Sequence, residues 1–246
     1  GNSIQSLLNA WKLTTAEKYL DHAAVLIRRT IHPRDDIAAR QLGNAELRWS
    51  YTVYLQALDR FLLETEGRDD LGDIRAYARQ ALFHYARWMC QNEKFYLDEP
   101  QKLEYPTETW AAQELRKGTT LLMAARLSPS AEAGSMRQRA EEILDRAWQT
   151  LMTFESRTCT RPLALVLQQG HLEVSLRTAS TNPNTHDGMF DFGQPSEFVS
   201  QKQHVKSLCR SPRLFSEGLS CALQPGRWLG VLSQFWFTER VRRWFD

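Results

Sequence analysis

The stretch EYPTETWAAQELRKG, Glu104 to Gly118, gathers acids, aromatic rings and amides around one helix start. A second such cluster, NAELRWSY, places Glu46, Trp49 and Tyr51 at another helix start, with Glu46 and Glu108 62 residues apart. Glycoside chemistry uses two carboxylates flanking a bond, and their separation selects the mechanism. Flat rings beside them give a sugar a face to stack on. If the two helices are neighbours, their N-termini share a rim and Glu46 and Glu108 are the candidate catalytic pair. Trp49, Tyr51, Tyr105, Trp110, Gln113 and Arg116 are then the candidate substrate-binding side chains, with Asp98, Glu99 and Glu104 nearby.

The same residues also have a plain structural reading. An acid in the first turn is favoured by the helix dipole, and Thr107 can cap the helix that Glu108 opens. Tryptophans at helix starts are commonly core residues. Further along, a buried cation needs a paired acid, and only Glu114 and Lys117, at i,i+3, share a face. Gln113 and Arg116 can reach into a cavity instead. Gly118 in mid-helix costs about 1 kcal/mol against Ala, which points to a closely packed neighbour or a kink.

Other reactive arrangements are missing. His84 and His204 lack a second His one turn on, so there is no metalloprotease pair. There is no GxSxG, no phosphate-cradling glycine loop and no dinucleotide fingerprint, and Ser50 and Ser180 have no motif around them. The sequence calls for no cofactor and no metal.

The elements that must position these residues read as helices of two kinds. Thr15–Ile31 carries Tyr19, Ala23, Leu26 and Ile27 on one stripe and charges elsewhere, and HPRDD ends it at Pro33. Asn44–Glu64 has Asn44 as N-cap and is apolar or aromatic nearly all round, so it is buried on more than one side. Gly72–Cys90 returns to the one-faced type, with Ile74, Tyr77, Ala81, Tyr85 and Trp88 inward. Pro106–Leu127 is again the buried type and Ser135–Phe154 again the charged one. Charged and buried helices thus alternate, which suits a curved array of outer and inner helices.

The pattern AEKYLDHAAVLIRRTI, ELRWSYTVYLQAL, YPTETWAAQELRK resembles the (α/α) toroids of the six-hairpin glycosidase and sugar-epimerase class, across roughly residues 15–170. The resemblance rests on helix alternation and on acid-plus-aromatic clusters at inner-helix starts. It implies an all-α fold, a toroid or partial toroid of alternating inner and outer antiparallel helices. It implies too a carbohydrate-active or carbohydrate-binding concave face. A full ring of that class has twelve helices, more than this chain provides.

After Cys159 the pattern loosens. TRPLALVLQQG (160–170) reads as a third inner helix with Pro162 in its first turn, while HLEVSLRT (171–178) fits either a continuing helix or a strand. Residues 179–196 are a turn-rich loop carrying His186, Asp187 and Asp191, without the glycine and glutamate of a calcium loop. Helices follow at 197–211 and 226–245. Residues 199–246 hold eight Lys or Arg against three acids, and the final helix mixes Trp228, Phe235, Trp236, Trp244 and Phe245 with Arg240, Arg242 and Arg243. That helix suits closing the core, lying on a membrane, or meeting a partner chain or a further domain.

Composition is that of a globular protein, with 42% hydrophobic and 24% charged residues, so a core can form without staples. The net charge of +2 gives no field to draw nucleic acid. Cys90, Cys159, Cys209 and Cys221 form no CxxC pair and read as thiols of a reducing, cytoplasmic compartment. No apolar run is long enough for a membrane span. GNSIQSLL reads as a tag glycine followed by mid-protein sequence, which suggests a piece of a longer protein. The chain is expected to be one helical-array domain over 1–246, with regular hairpins to residue 170 and a loop-rich end from 171. A saccharide is the expected ligand, and a missing domain or a second copy meeting the C-terminal helix the expected protein partner.

Overall fold

The computed structural model describes residues 1–128, 130–155, 158–178, 190–195 and 199–209. All regular elements among them are helices: α1 (Asn2–Thr14), α2 (Lys18–Arg28), α3 (Ala45–Arg48), α4 (Tyr51–Glu64), α5 (Gly72–Asn92), α6 (Glu108–Leu127), α7 (Ser130–Thr153), α8 (Thr160–Thr178) and α9 (Gln201–Cys209). The chain divides into two compact units, Gly1–Phe198 and Val199–Asp246. In the second unit α9 starts at a reciprocal cap. Ser200 N–H donates to Gln203 Oε1 at 2.8 Å, and Gln203 N–H donates to Ser200 Oγ at 3.2 Å. That cap sets the start four residues later than expected. His186, Asp187, Ser180 and the basic aromatic helix at 226–245 lie outside the described residues.

In the first unit, neighbour contacts run in two series. α1 packs on α4, α4 on α6 and α6 on α8, while α2 packs on α5 and α5 on α7. Short connections join the series as helix pairs, α1 with α2, α4 with α5 and α6 with α7. The buried-type and one-faced helices of the sequence sort accordingly. α2 buries only Leu20, Ala23 and Ile27, whereas α6 buries sixteen of its twenty residues. A helix covered on all sides must satisfy its polar side chains internally, and the seam between α4, α6 and α8 does so in part, leaving Gln169 Nε2 without a partner. Gln56 Nε2 donates to Thr119 Oγ1 at 2.9 Å and to Gln169 Oε1 at 2.8 Å, and Thr119 Oγ1 donates to Gln169 Oε1 at 2.7 Å. One turn on, Arg126 pairs with buried Asp59 at 2.7 Å. Burial pushes the Asp59 carboxyl up, and Arg126 opposes it.

Several boundaries differ from the sequence reading. α1 was not foreseen; it ends where Thr15 turns to φ 55° and its N–H donates to Trp11 O at 2.6 Å. A β-branched residue in the left-handed region is uncommon and gives no glycine signal. Asn44 does cap, accepting Leu47 N–H at 3.2 Å, but the helix it opens lasts only to Arg48 before α4 begins at Tyr51. The strand alternative for 171–178 is replaced by α8, which runs on through Gly170. Its inward positions Leu165, Gln169, Glu173 and Leu176 keep helical spacing.

Gly118 marks a close approach of α6 and α7. A Cβ there would collide with Leu144 Cγ and stand 2.7 Å from Leu144 Cδ2. Gly118→Ala is expected to cost about 1–3 kcal/mol in urea unfolding, overpacking outweighing the better helix propensity. Combined with Leu144→Ala, it should destabilise by less than the two single changes added. A neutral or stabilising Gly118→Ala would remove the close-packing reading.

Candidate functional site

The connection from α5 to α6 (93–107) is held by a lysine that has left water altogether. Lys117, fully buried on α6, reaches Glu93 at 2.8 Å and Glu114 at 3.2 Å, and donates to Lys94 O at 2.7 Å. Its ammonium also lies 3.5 Å from the Tyr96 ring centroid. Glu114 accepts the Tyr96 backbone N–H at 2.6 Å, and Tyr51 donates its phenol proton to Glu93. The i,i+3 pairing of Glu114 with Lys117 follows from the sequence. Glu93, 24 residues before Lys117, carried no sequence signal. Burial outweighs the neighbouring Lys117 and pushes the Glu114 carboxyl up to about 7. Burial, then the nearby carboxylates, pushes the Tyr51 and Tyr96 phenols far up.

Next to this cluster lies a cleft of about 720 Å³. Segment 31–42 forms one wall. It is stitched by Asp35, which accepts from Tyr85 Oη at 2.9 Å and from His32 N–H at 2.8 Å and pairs with Arg40 at 2.7 Å. Trp49, Tyr51, Tyr54 and Tyr85 supply rings to the lining, and Arg40, Arg48 and Arg116 supply charge. No described Asp or Glu lines it.

The expected site residues are divided between this cleft and its surroundings. Trp49, Tyr51 and Arg116 line it. Trp49 packs at its base with Tyr96, Leu103 and Trp110, and the Arg116 and Arg161 guanidinium carbons stand 5.9 and 5.0 Å from its ring centroid. Trp110 is buried beside Tyr96, its indole N–H donating to Tyr105 O at 3.0 Å, while the Tyr105 ring is exposed. Gln113 is buried with its Oε1 unpartnered. Glu46 accepts the Glu104 backbone N–H at 2.7 Å and so ties α3 to the loop before α6. Glu108 is partly exposed at the start of α6. The Cys159 thiol and the residue's own N–H hold its carboxyl below the usual range.

Arg40, Arg48 and Arg161 contribute to this region without having been singled out by the sequence; for Arg161, only the fold brings the first turn of α8 over Trp49. Asp191 is spent locally, accepting the Gly193 N–H at 2.9 Å. Among the described residues no group of three His, Cys, Asp or Glu side chains is placed to hold a metal ion, and no helix is long and apolar enough to cross a membrane. No protein family, curated protein or solved structure matches this chain.

The lysine cluster makes two predictions. Between about pH 4.5 and about 7 the folded chain keeps a proton on Glu114 that the unfolded chain releases. Stability from this group is therefore greatest below that window and falls as pH rises through it, by about 3 kcal/mol in all. Urea unfolding from pH 5 to pH 8 should show that fall, and Glu114→Gln should flatten it; an unchanged slope in the variant would refute the assignment. Lys117→Met leaves Glu93 and Glu114 buried without their cation and should cost about 3–5 kcal/mol in the same measurement.

Proposed function

We propose that this chain is a non-catalytic carbohydrate-binding helical domain whose ligand occupies the cleft beside Trp49, Tyr51 and Arg116. The observation that carries this reading is the lining: rings and arginines, with no described carboxylate among them. Glycoside cleavage needs two carboxyl groups within about 10 Å of each other across the bond. Glu46 and Glu108 are the acids that a hydrolase or epimerase of the six-hairpin class would use. Here Glu46 holds a backbone N–H and Glu108 is bonded to Cys159, each outside the cleft lining. Binding asks only for a ring face and well-placed donors, and the cleft has both.

The finer architecture belongs to the same reading. We take α1, α4, α6 and α8 as the inner series and α2, α5 and α7 as the outer series of a partial (α/α) toroid. The neighbour contacts and the all-round burial of α6 support that reading.

A panel of neutral and acidic oligosaccharides, followed by titration calorimetry, tests the function. A ligand with dissociation constant below about 1 mM is expected, with no release of reducing ends. Trp49→Ala should weaken it about tenfold, and Trp49→Phe, which keeps the packing against Trp110, by less. Tyr105→Ala, on an exposed ring outside the cleft, should change nothing. Release of reducing ends would overturn the non-catalytic reading, and a panel with no binder would overturn the saccharide reading.

A further inference from the structure

Several arginines of the first unit are matched by an acid from another segment. Arg126 meets Asp59, Arg87 meets Glu132, and Arg146 lies against Asp98. The three around Trp49 are not so matched. Arg48 on α3, Arg116 on α6 and Arg161 on α8 make no ion pair among the described residues, although they come from three separate helices. Arg116 is half-buried. Its one side-chain hydrogen bond reaches Gln168 Oε1 at 3.4 Å, and its Nε is buried without a partner. Burial and the charge of Arg161 both act against the Arg116 cation. Like charges gathered with spare donors, one of them half out of water, are a standing cost. An oxyanion removes that cost by accepting from several guanidiniums at once, in the planar geometry that arginine provides.

We infer that the ligand of the cleft is an acidic saccharide, whose oxyanion group is held by Arg116 and Arg161 beside the Trp49 ring, with Arg48 at the same cleft. The inference rests on the saccharide reading of that cleft and names its substrate class. A uronate carboxylate and a sulfate ester offer the same planar or tripodal oxygens to the arginines, and the arms of the test separate them.

The test is titration calorimetry of the full chain, at one ionic strength, with four probes: a uronic-acid oligosaccharide, a sulfated oligosaccharide, their neutral counterpart and inorganic sulfate. One of the two acidic probes is expected to bind at least tenfold more tightly than the neutral one, and which of them does so identifies the group. Arg116→Gln should erase most of that preference by weakening the acidic probe at least tenfold more than the neutral one. Arg48→Gln and Arg161→Gln, at exposed positions where folding is not at stake, should each reduce it in the same direction. Equal binding of acidic and neutral probes would overturn the inference and leave the saccharide reading standing. Inorganic sulfate binding as tightly as the acidic sugars would overturn the sugar and keep only the anion. Absence of binding by all four would overturn both.

Discussion

A single buried ammonium organises the connection beside the cleft. Lys117 sits on the helix that every neighbour covers, and it cannot shed its charge into water. Its partners come from elsewhere in the chain: Glu93 where α5 ends, the Lys94 carbonyl, and the Tyr96 ring in the turn that follows. Such a pair adds little over a well-packed apolar substitute, but removing one member is expensive. It therefore acts mainly as a register device. It dictates that the α5–α6 connection lies against the middle of α6, and the rest of the site is assembled on that connection. Tyr96 and Leu103 form the bed of Trp49, and Tyr51 reaches Glu93 from the start of α4.

Tethers of the same kind recur at the periphery. Glu46 clamps the Glu104 backbone, and Arg146 on α7 meets Asp98 in the connection while its guanidinium lies 4.1 Å from the Phe95 ring centroid. A connection of fifteen residues with only short 3-10 turns of its own is thus fixed by α3, α6 and α7 together. Loops held in this way can present side chains as firmly as helices do.

The parts of this arrangement that follow short-range rules were legible in the sequence. Asn44 caps, α5 and α6 fall where their periodicity puts them, Glu114 pairs with Lys117 at i,i+3, and Gly118 makes room for a neighbouring helix. What was missed has physical reasons. α1 ends at a left-handed threonine rather than a glycine, and α3 and α4 part at Trp49–Ser50 with no proline or glycine to announce it. On α8 two of the inward positions are Gln169 and Glu173, so a search for an apolar stripe sees alternation where the burial has helical period. Both bond inside, Gln169 Oε1 accepting from Gln56 and Thr119, and Glu173 accepting from the Trp148 indole at 2.8 Å and from Arg177. Glu93 and Arg161 reach Lys117 and Trp49 only through tertiary packing, which no spacing along the chain encodes.

The cleft and the lysine cluster differ in the sign of their unpaired charge. Two carboxylates serve one ammonium in the cluster, so with both ionised it carries an excess negative charge. Glu114 relieves that excess by holding its proton up to about pH 7. Arg48 and Arg116 at the cleft carry positive charge without an ion pair among the described residues, and Tyr51 both lines the cleft and donates to Glu93 of the cluster. A carboxylate placed in the cleft itself would occupy the guanidinium donors. With Glu93 held by Tyr51 and Lys117 and Glu114 held by Lys117, the Arg48 and Arg116 donors are left without a carboxylate among the described residues.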